Sequence, residues 1–219
     1  MEIDIVAEGL LFPEGPIAMP DGSVILVEIK RQTLTRVFPD GRTEIIAEMP
    51  GGPNGAAIGP DGRCYVCNNG GFEWMEIDGQ TISGDAPADD RGGSIEAVDL
   101  KTGRVETLYT QAEGERLSGP NDIVFDRTGG FWFTDHGKGR GRTRDIGGLF
   151  YAQPDGSYIV EAAFPIFAAN GVGLSPDEKT VYVADTFSAR LLAFDLVAPG
   201  EIAPSPIPVP GRPVATLPG

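Results

Sequence analysis

The sequence predicts an all-β chain folded as a β-propeller, with about four blades in its 219 residues. Three observations carry that expectation: one hairpin phrase is written four times, each copy has tight-turn chemistry at its centre, and helical periodicity is essentially absent. The phrases are "FPEGPIAMPDGSVILVE" from Phe12, "GPNGAAIGPDGRCYVCN" from Gly52, "GPNDIVFDRTGGFWFTD" from Gly119 and "AANGVGLSPDEKTVYVAD" from Ala168. Each holds a small or proline-containing opening, a polar residue, a short apolar run, a turn, a second apolar run and a polar exit.

The first phrase turns at "PDG", the second at "PDG", the third at "DRTGG" and the fourth at "SPDE". Pro, Asp and Gly in those places are what tight β-connections require. A second hairpin follows each: "LTRVFPDGRTEII", "SIEAVDLKTGRVETL", "GLFYAQPDGSYIV" and the run "LLAFDL". Two hairpins make four strands, one propeller blade. A β-sandwich also uses many short strands, but it does not need one phrase copied at blade-sized intervals. The repeats start near residues 12, 52, 119 and 168, and the longest interval contains an acidic insertion, "GFEWMEIDGQTISGDAPADDR". Its polar and Gly content predicts an exposed loop, placed as a lip over the site. The opening "EIDIVAEG" reads as a strand that completes the last blade and closes the ring. Residues 197–219 read as a Pro-rich connection toward a further blade, so the chain is expected to be one domain, 1–219, incomplete at its C-terminus.

Acids outnumber Lys plus Arg by 32 to 17, for a formal charge of −15. Such a surface repels phosphate backbones and argues against nucleic acid as partner, while suiting a cation or a neutral small molecule. No apolar stretch approaches the roughly 20 residues that span a bilayer, and no basic-then-apolar leader is visible; a cytoplasmic protein with no membrane partner is expected. The two cysteines, Cys64 and Cys67, lie three apart in a strand pattern and so point to opposite faces. They are expected to be small buried hydrophobes, not a metal or redox pair.

Equivalent positions of successive blades converge on the central channel. The polar opening residues are Glu14, Asn54, Asn121 and Asn170, at spacings of 40, 67 and 49. One carboxylate among carboxamides is an all-oxygen donor set, suited to a hard cation such as calcium. The exits Glu28, Asn68, Asp135 and Asp185 follow at spacings of 14, 14, 14 and 15, with Asp21, Asp61, Thr128 and Asp177–Glu178 in the intervening turns. Openings and exits therefore share one end of each hairpin, and two concentric polar sets are expected there. Taken singly, an Asn at a strand opening is more often a turn residue than a ligand; the fourfold repetition, and a Glu with no turn advantage, favour the ligand reading. Asp122 is expected to be structural, because alternation points it away from Asn121. The lone histidine, His136, excludes a His-rich zinc site, and no nucleophile-elbow, P-loop or dinucleotide motif is present. "GKGRGRTRD" reads as a solvated loop carrying Lys138, Arg140, Arg142 and Arg144, with anion steering as the lesser alternative.

"LLFPEGP", "GPNGAAIGPDGRCYVCNNGG", "SGPNDIVFDRTGGFWFTDHG" and "NGVGLSPDEKTVYVADT" together resemble the gluconolactonase, regucalcin (senescence marker protein) and luciferin-regenerating-enzyme family, from Glu14 to about Leu196. The resemblance implies a propeller of the six-bladed type holding one divalent cation, usually Ca2+, with Mg2+, Mn2+ or Zn2+ as alternatives. It implies a hydrolase that opens sugar-type lactones or other esters, by metal polarisation of the carbonyl and carboxylate-assisted attack of water. Carried over by motif, Glu14, Asn121 and Asn170 are metal ligands. The remaining ligand and catalytic base, an Asp opening the following blade, is expected beyond residue 219. Asn54, Asn68 and His136 are then candidates for substrate contact, and Asp135 is a candidate catalytic carboxylate. The rival readings are a calcium- or ligand-binding propeller without catalysis and a hydrolase of another ester, such as a phosphotriester.

Overall fold

The structure, a computed structural model, describes residues 4–205 and 210–217. No helix forms among them, and no helix is long and apolar enough to cross a membrane. Four antiparallel sheets follow one another along the chain. The first is a simple meander of Pro13–Ala18, Val24–Glu28, Thr33–Val37 and Thr43–Glu48. The second contains Pro53–Ile58, Cys64–Asn68, Ser94–Val98 and Val105–Tyr109. The third contains Pro120–Phe125, Phe131–Asp135, Gly147–Ala152 and Ile159–Ile166. The fourth begins Ala169–Leu174, Thr180–Asp185 and Arg190–Ala198. The proline-rich tail does more than connect: Arg212–Thr216 pairs with Arg190–Ala193 as that sheet's outer strand, and Glu201–Ile202 pairs with its far end.

The four first strands lie side by side in chain order, as the inner strands of consecutive propeller blades do. Apolar side chains fill the spaces between sheets, so the core is divided into three slabs. Ile25, Val27 and Leu34 meet Cys64, Val66 and Val98 between the first two sheets. Tyr65, Cys67 and Ile95 meet Phe131, Phe133 and Phe150 between the next two. Trp132, Leu149 and Tyr151 meet Val181, Val183 and Leu192 between the last two. Strand alternation explains how "FWF" serves two slabs, with Trp132 directed oppositely to its neighbours. The same alternation sends Cys64 and Cys67 into different slabs, where both are free and burial pushes their thiols up, Cys64 to about 12.

The turns behave as the Asp residues dictate. Asp21, Asp61, Asp126 and Asp177 each accept the backbone N–H two residues on, at 2.8–3.2 Å. Two expected elements differ. Of "EIDIVAEG", residues 2 and 3 lie outside the described residues and 4–9 form no strand; the segment is tied by a side chain instead of a ladder, Arg31 donating to the Gly9 carbonyl at 2.8 Å. The insertion is not merely loop, since Trp74–Ile77 and Gln80–Ser83 form a hairpin of their own.

Candidate metal and substrate site

Each first strand carries a β-bulge near its start, one residue later in the first sheet than in the other three. Pro13 pairs with Glu28, Pro53 with Asn68, Pro120 with Asp135 and Ala169 with Asp185. The ladder then slips by one residue and resumes at Ile17–Ile25, Ala56–Val66, Ile123–Phe133 and Val172–Val183. The pairs left out of the ladder are Asn54–Gly55, Asn121–Asp122 and Asn170–Gly171; in the first sheet Glu14 borders the slip, at Gly15–Pro16. A bulge bends the strand and re-aims the side chains in it. Asn54, Asn121 and Asn170 are thus taken out of ordinary pairing, while Glu14 keeps its pairing with Val27 at the edge of its bulge.

Glycine lets these bulges nest. A Cβ on Gly55 would stand 2.3 Å from the Asn121 carbonyl oxygen, and one on Gly15 would stand 2.8 Å from that of Asn54. Neighbouring inner strands therefore approach backbone to backbone at the opening residues. Between the third and fourth sheets Thr134 donates to the Asn170 carbonyl. Asp122 accepts from Ile123 N and Val172 N at 2.9 Å each, a structural clasp between sheets, while burial pushes its carboxyl pKa up.

Openings and exits differ sharply in what their side chains hold. Among the described residues, the side chains of Glu14, Asn54 and Asn121 have no hydrogen-bond or ion-pair partner. Asn170 uses only its amide NH2, donated to Thr186 Oγ1 at 3.1 Å. Asn54 is only 8 % exposed, yet its amide atoms are not among the buried unpartnered ones and so open onto this end of the sheets. The exits are fully engaged. Glu28 accepts from Leu11 N at 2.6 Å, Asn68 from Gly52 N at 2.8 Å and Asp185 from Ala168 N at 3.0 Å. Asp135 accepts from Ser118 N, Gly119 N and Gly137 N at 2.7–2.8 Å, and burial pushes its pKa up. These four latch each inner strand's approach to its neighbour. The second concentric set is therefore backbone-directed, which places Asp135 and Asn68 in latches and not among free ligand atoms.

The donor set fits a hard cation. Among the described residues no three His, Cys, Asp or Glu side chains converge, so a cation here must rely on Glu14 together with carboxamide oxygens. Such neutral oxygens beside one carboxylate suit calcium, magnesium or manganese and lack the N or S ligands zinc favours.

His136, next after Asp135, is half-buried at the same end. Arg144 donates to its carbonyl and to its Nδ1, each at 2.7 Å. Burial, then the Arg144 charge, hold the imidazole pKa below its ordinary value. The loop expected to be solvated is instead built in. Lys138 is buried and bonds Gly71 O at 2.9 Å and Asp90 at 3.0 Å; Arg140 bridges Asp90 and Asp145 at 2.7 and 2.9 Å. Asp85 accepts from Gly141 N at 2.7 Å, so the insertion is clamped onto this loop. Its hairpin reaches the first sheet, with Trp74 5.0 Å from Phe12 and Glu76 paired to Lys30 at 2.7 Å. The insertion is thus a lip from the first sheet to the third. Beyond it, a cavity of about 590 Å³ is lined by Ser118, Asp135, Arg140, Asp145, Phe150 and Phe164 among others. Thr186 and the bulges had no sequence signal of their own, and Arg144 was legible only as one of four basic residues in a loop; the position after each exit, held in all four sheets by a bond to the segment before the inner strand, is the pattern that finds Thr186.

Residues 12–209 match the family described as SMP-30/Gluconolactonase/LRE-like region. Lactonase drp35 of Staphylococcus saprophyticus is 32% identical over 212 residues, which cover 95% of this chain and 58% of that protein. A gluconolactonase of Zymomonas mobilis is 26% identical over 206 residues, covering 84% and 51%. The chain therefore spans between half and three fifths of the length of these curated relatives. Among solved structures, a gluconolactonase of Xanthomonas campestris shares the fold with a TM-score of 0.69 at 22% identity, over 90% of this chain and 62% of that one. A calcium-binding regucalcin of Agrobacterium tumefaciens does so at 0.59 and 19%, over 85% and 55%. The chain belongs to the SMP-30/gluconolactonase/LRE-like family.

Proposed function

We propose that this chain forms the larger part of a six-bladed, divalent-cation-dependent lactonase acting on a small-molecule lactone or ester in the cytoplasm. The observation that supports it best is the contrast at one end of the four sheets. Glu14, Asn54 and Asn121 sit on adjacent bulged strands with side chains unused among the described residues, while every exit is committed to backbone. Glu14, Asn121 and Asn170 are the residues that would hold the cation. When bound, it supplies Lewis-acid polarisation of an ester carbonyl. Asn54 offers an unpartnered amide to a substrate oxygen. His136, with Nδ1 accepting from Arg144, keeps its proton on Nε2 and serves as a neutral donor. Asp122 and Asp135 are engaged by amides, so the activating carboxylate is assigned to the following blade, beyond residue 219, as the family resemblance implies.

The test is acid release from a panel of aldonolactones and simple δ-lactones, with calcium, with manganese and with chelator. In a protein that includes the following blade, cation-dependent turnover is expected; no turnover on any lactone in the presence of either cation would remove the lactonase reading. The engagement of both local aspartates favours one alternative, a cation-binding propeller without catalysis. Saturable cation binding without turnover in the same preparation would establish it.

A further inference from the structure

Two phenylalanines flank the proposed site without serving the core. Phe167 lies two residues before the fourth inner strand, and Phe187 follows the exit Asp185 by two residues. They are 52% and 56% exposed, yet they are not scattered: their rings meet edge-on at 5.8 Å and 65°. Phe187 lies 5.9 Å from the His136 ring, and the Arg144 guanidinium covers it at 4.5 Å. Between Phe187 and Asp185 stands Thr186, which holds the Asn170 amide. The aromatic pair therefore borders both a proposed cation ligand and a proposed substrate donor.

Apart from the His136 Nε2–H and the Asn170 oxygen already assigned to substrate and cation, the polar groups nearest the rings are turned inward. Arg144 Nη2 is shared by His136 O, His136 Nδ1 and Gly137 O, and its Nε is buried with no partner among the described residues. Thr186 Oγ1 is taken by Asn170. A polyhydroxylated ring pressed onto Phe167 and Phe187 would lose water from hydroxyls that the phenyl carbons cannot replace, which is costly. The edge-to-face pair also forms a wedge, not the flat shelf on which a sugar face stacks. An alkyl arm has no such penalty and gains by covering the rings.

We infer that Phe167 and Phe187 are the specificity wall of the lactone site and select lactones bearing an apolar alkyl arm over sugar lactones, with Arg144 as the positioning residue that fixes Phe187 and His136. This rests on the lactonase reading, and the test separates the two. Steady-state kinetics with calcium, on the protein including the following blade, would compare gluconolactone, unsubstituted δ-valerolactone and its pentyl-substituted homologue. The pentyl lactone should have the highest kcat/KM. Phe187→Ala should lower that value about tenfold more for the pentyl than for the unsubstituted lactone, mainly through KM, with Phe187→Leu retaining most of the preference. Preference for gluconolactone, or equal losses on both δ-lactones, would overturn the inference. Calorimetry with pentyl-substituted and unsubstituted δ-valerolactam, which are not hydrolysed, gives the independent readout. If no lactone is turned over but the pentyl lactam binds tighter and Phe187→Ala abolishes the difference, the wall stands and the lactonase reading falls. Equal binding of the two lactams removes the wall.

Discussion

His136 is held neutral by its surroundings. Arg144 carries no lone pair to share, so the imidazole nitrogen it meets at 2.7 Å must be unprotonated. Burial and that guanidinium depress the folded-state pKa, whereas the unfolded chain titrates near about 6.5. The unfolded chain thus binds the proton more readily. Stability is full above the unfolded pKa and is lost as pH falls through the folded one. Because the chain has one histidine, its imidazole NMR signal needs no assignment. The signal should titrate below the ordinary range in the native protein and move upward in Arg144→Ala; an unshifted titration would contradict the contact. Asp135 makes a different prediction. Removing its carboxylate leaves the amides of Ser118, Gly119 and Gly137 without an acceptor. Asp135→Ala should cost about 2–4 kcal/mol in urea unfolding, with cation affinity of the folded protein retained. An unchanged unfolding midpoint would dismiss the latch.

Among the elements, the insertion has most at stake in one ion pair. Lys138 and Asp90 have side chains 1% and 4% exposed and join the lip to the loop after the third sheet's second strand. Cutting one partner of a buried pair strands the other charge, at about 3–5 kcal/mol, whereas replacing both by apolar residues is far milder. Asp90→Asn should therefore destabilise more than the combination Asp90→Leu with Lys138→Met, by urea midpoints; the reverse order would show the pair to be solvated. This pairing was not legible in the sequence, because 48 residues separate the partners and a Gly-rich basic loop looks the same whether free or clamped. Hairpins were legible, since turn residues and period-two alternation are local. The bulges were not: "PNG", "PND" and "ANG" state which residues are polar, and only the ladder reveals which are left unpaired. The outer strand Arg212–Thr216 was hidden by Pro213 and the proline-rich run before it, and an edge position tolerates that proline.

At the scale of the whole molecule, the repeat and the net charge of −15 are both compatible with the proposed cation site. Repetition placed Glu14, Asn54, Asn121 and Asn170 at one end of adjacent sheets before any coordinates, because copied hairpins put copied residues in copied places. The same logic could not separate openings from exits, whose acceptors turn back to the backbone; that distinction depends on the direction of single hydrogen bonds. Placing a ligand set on the unused opening residues is the central claim. Its most direct test is a calorimetric calcium titration of the full chain beside Glu14→Gln. The account predicts saturable one-site binding that weakens by at least about tenfold in the variant, since losing even an indirect metal partner costs that much. Unchanged calcium affinity in Glu14→Gln would contradict it.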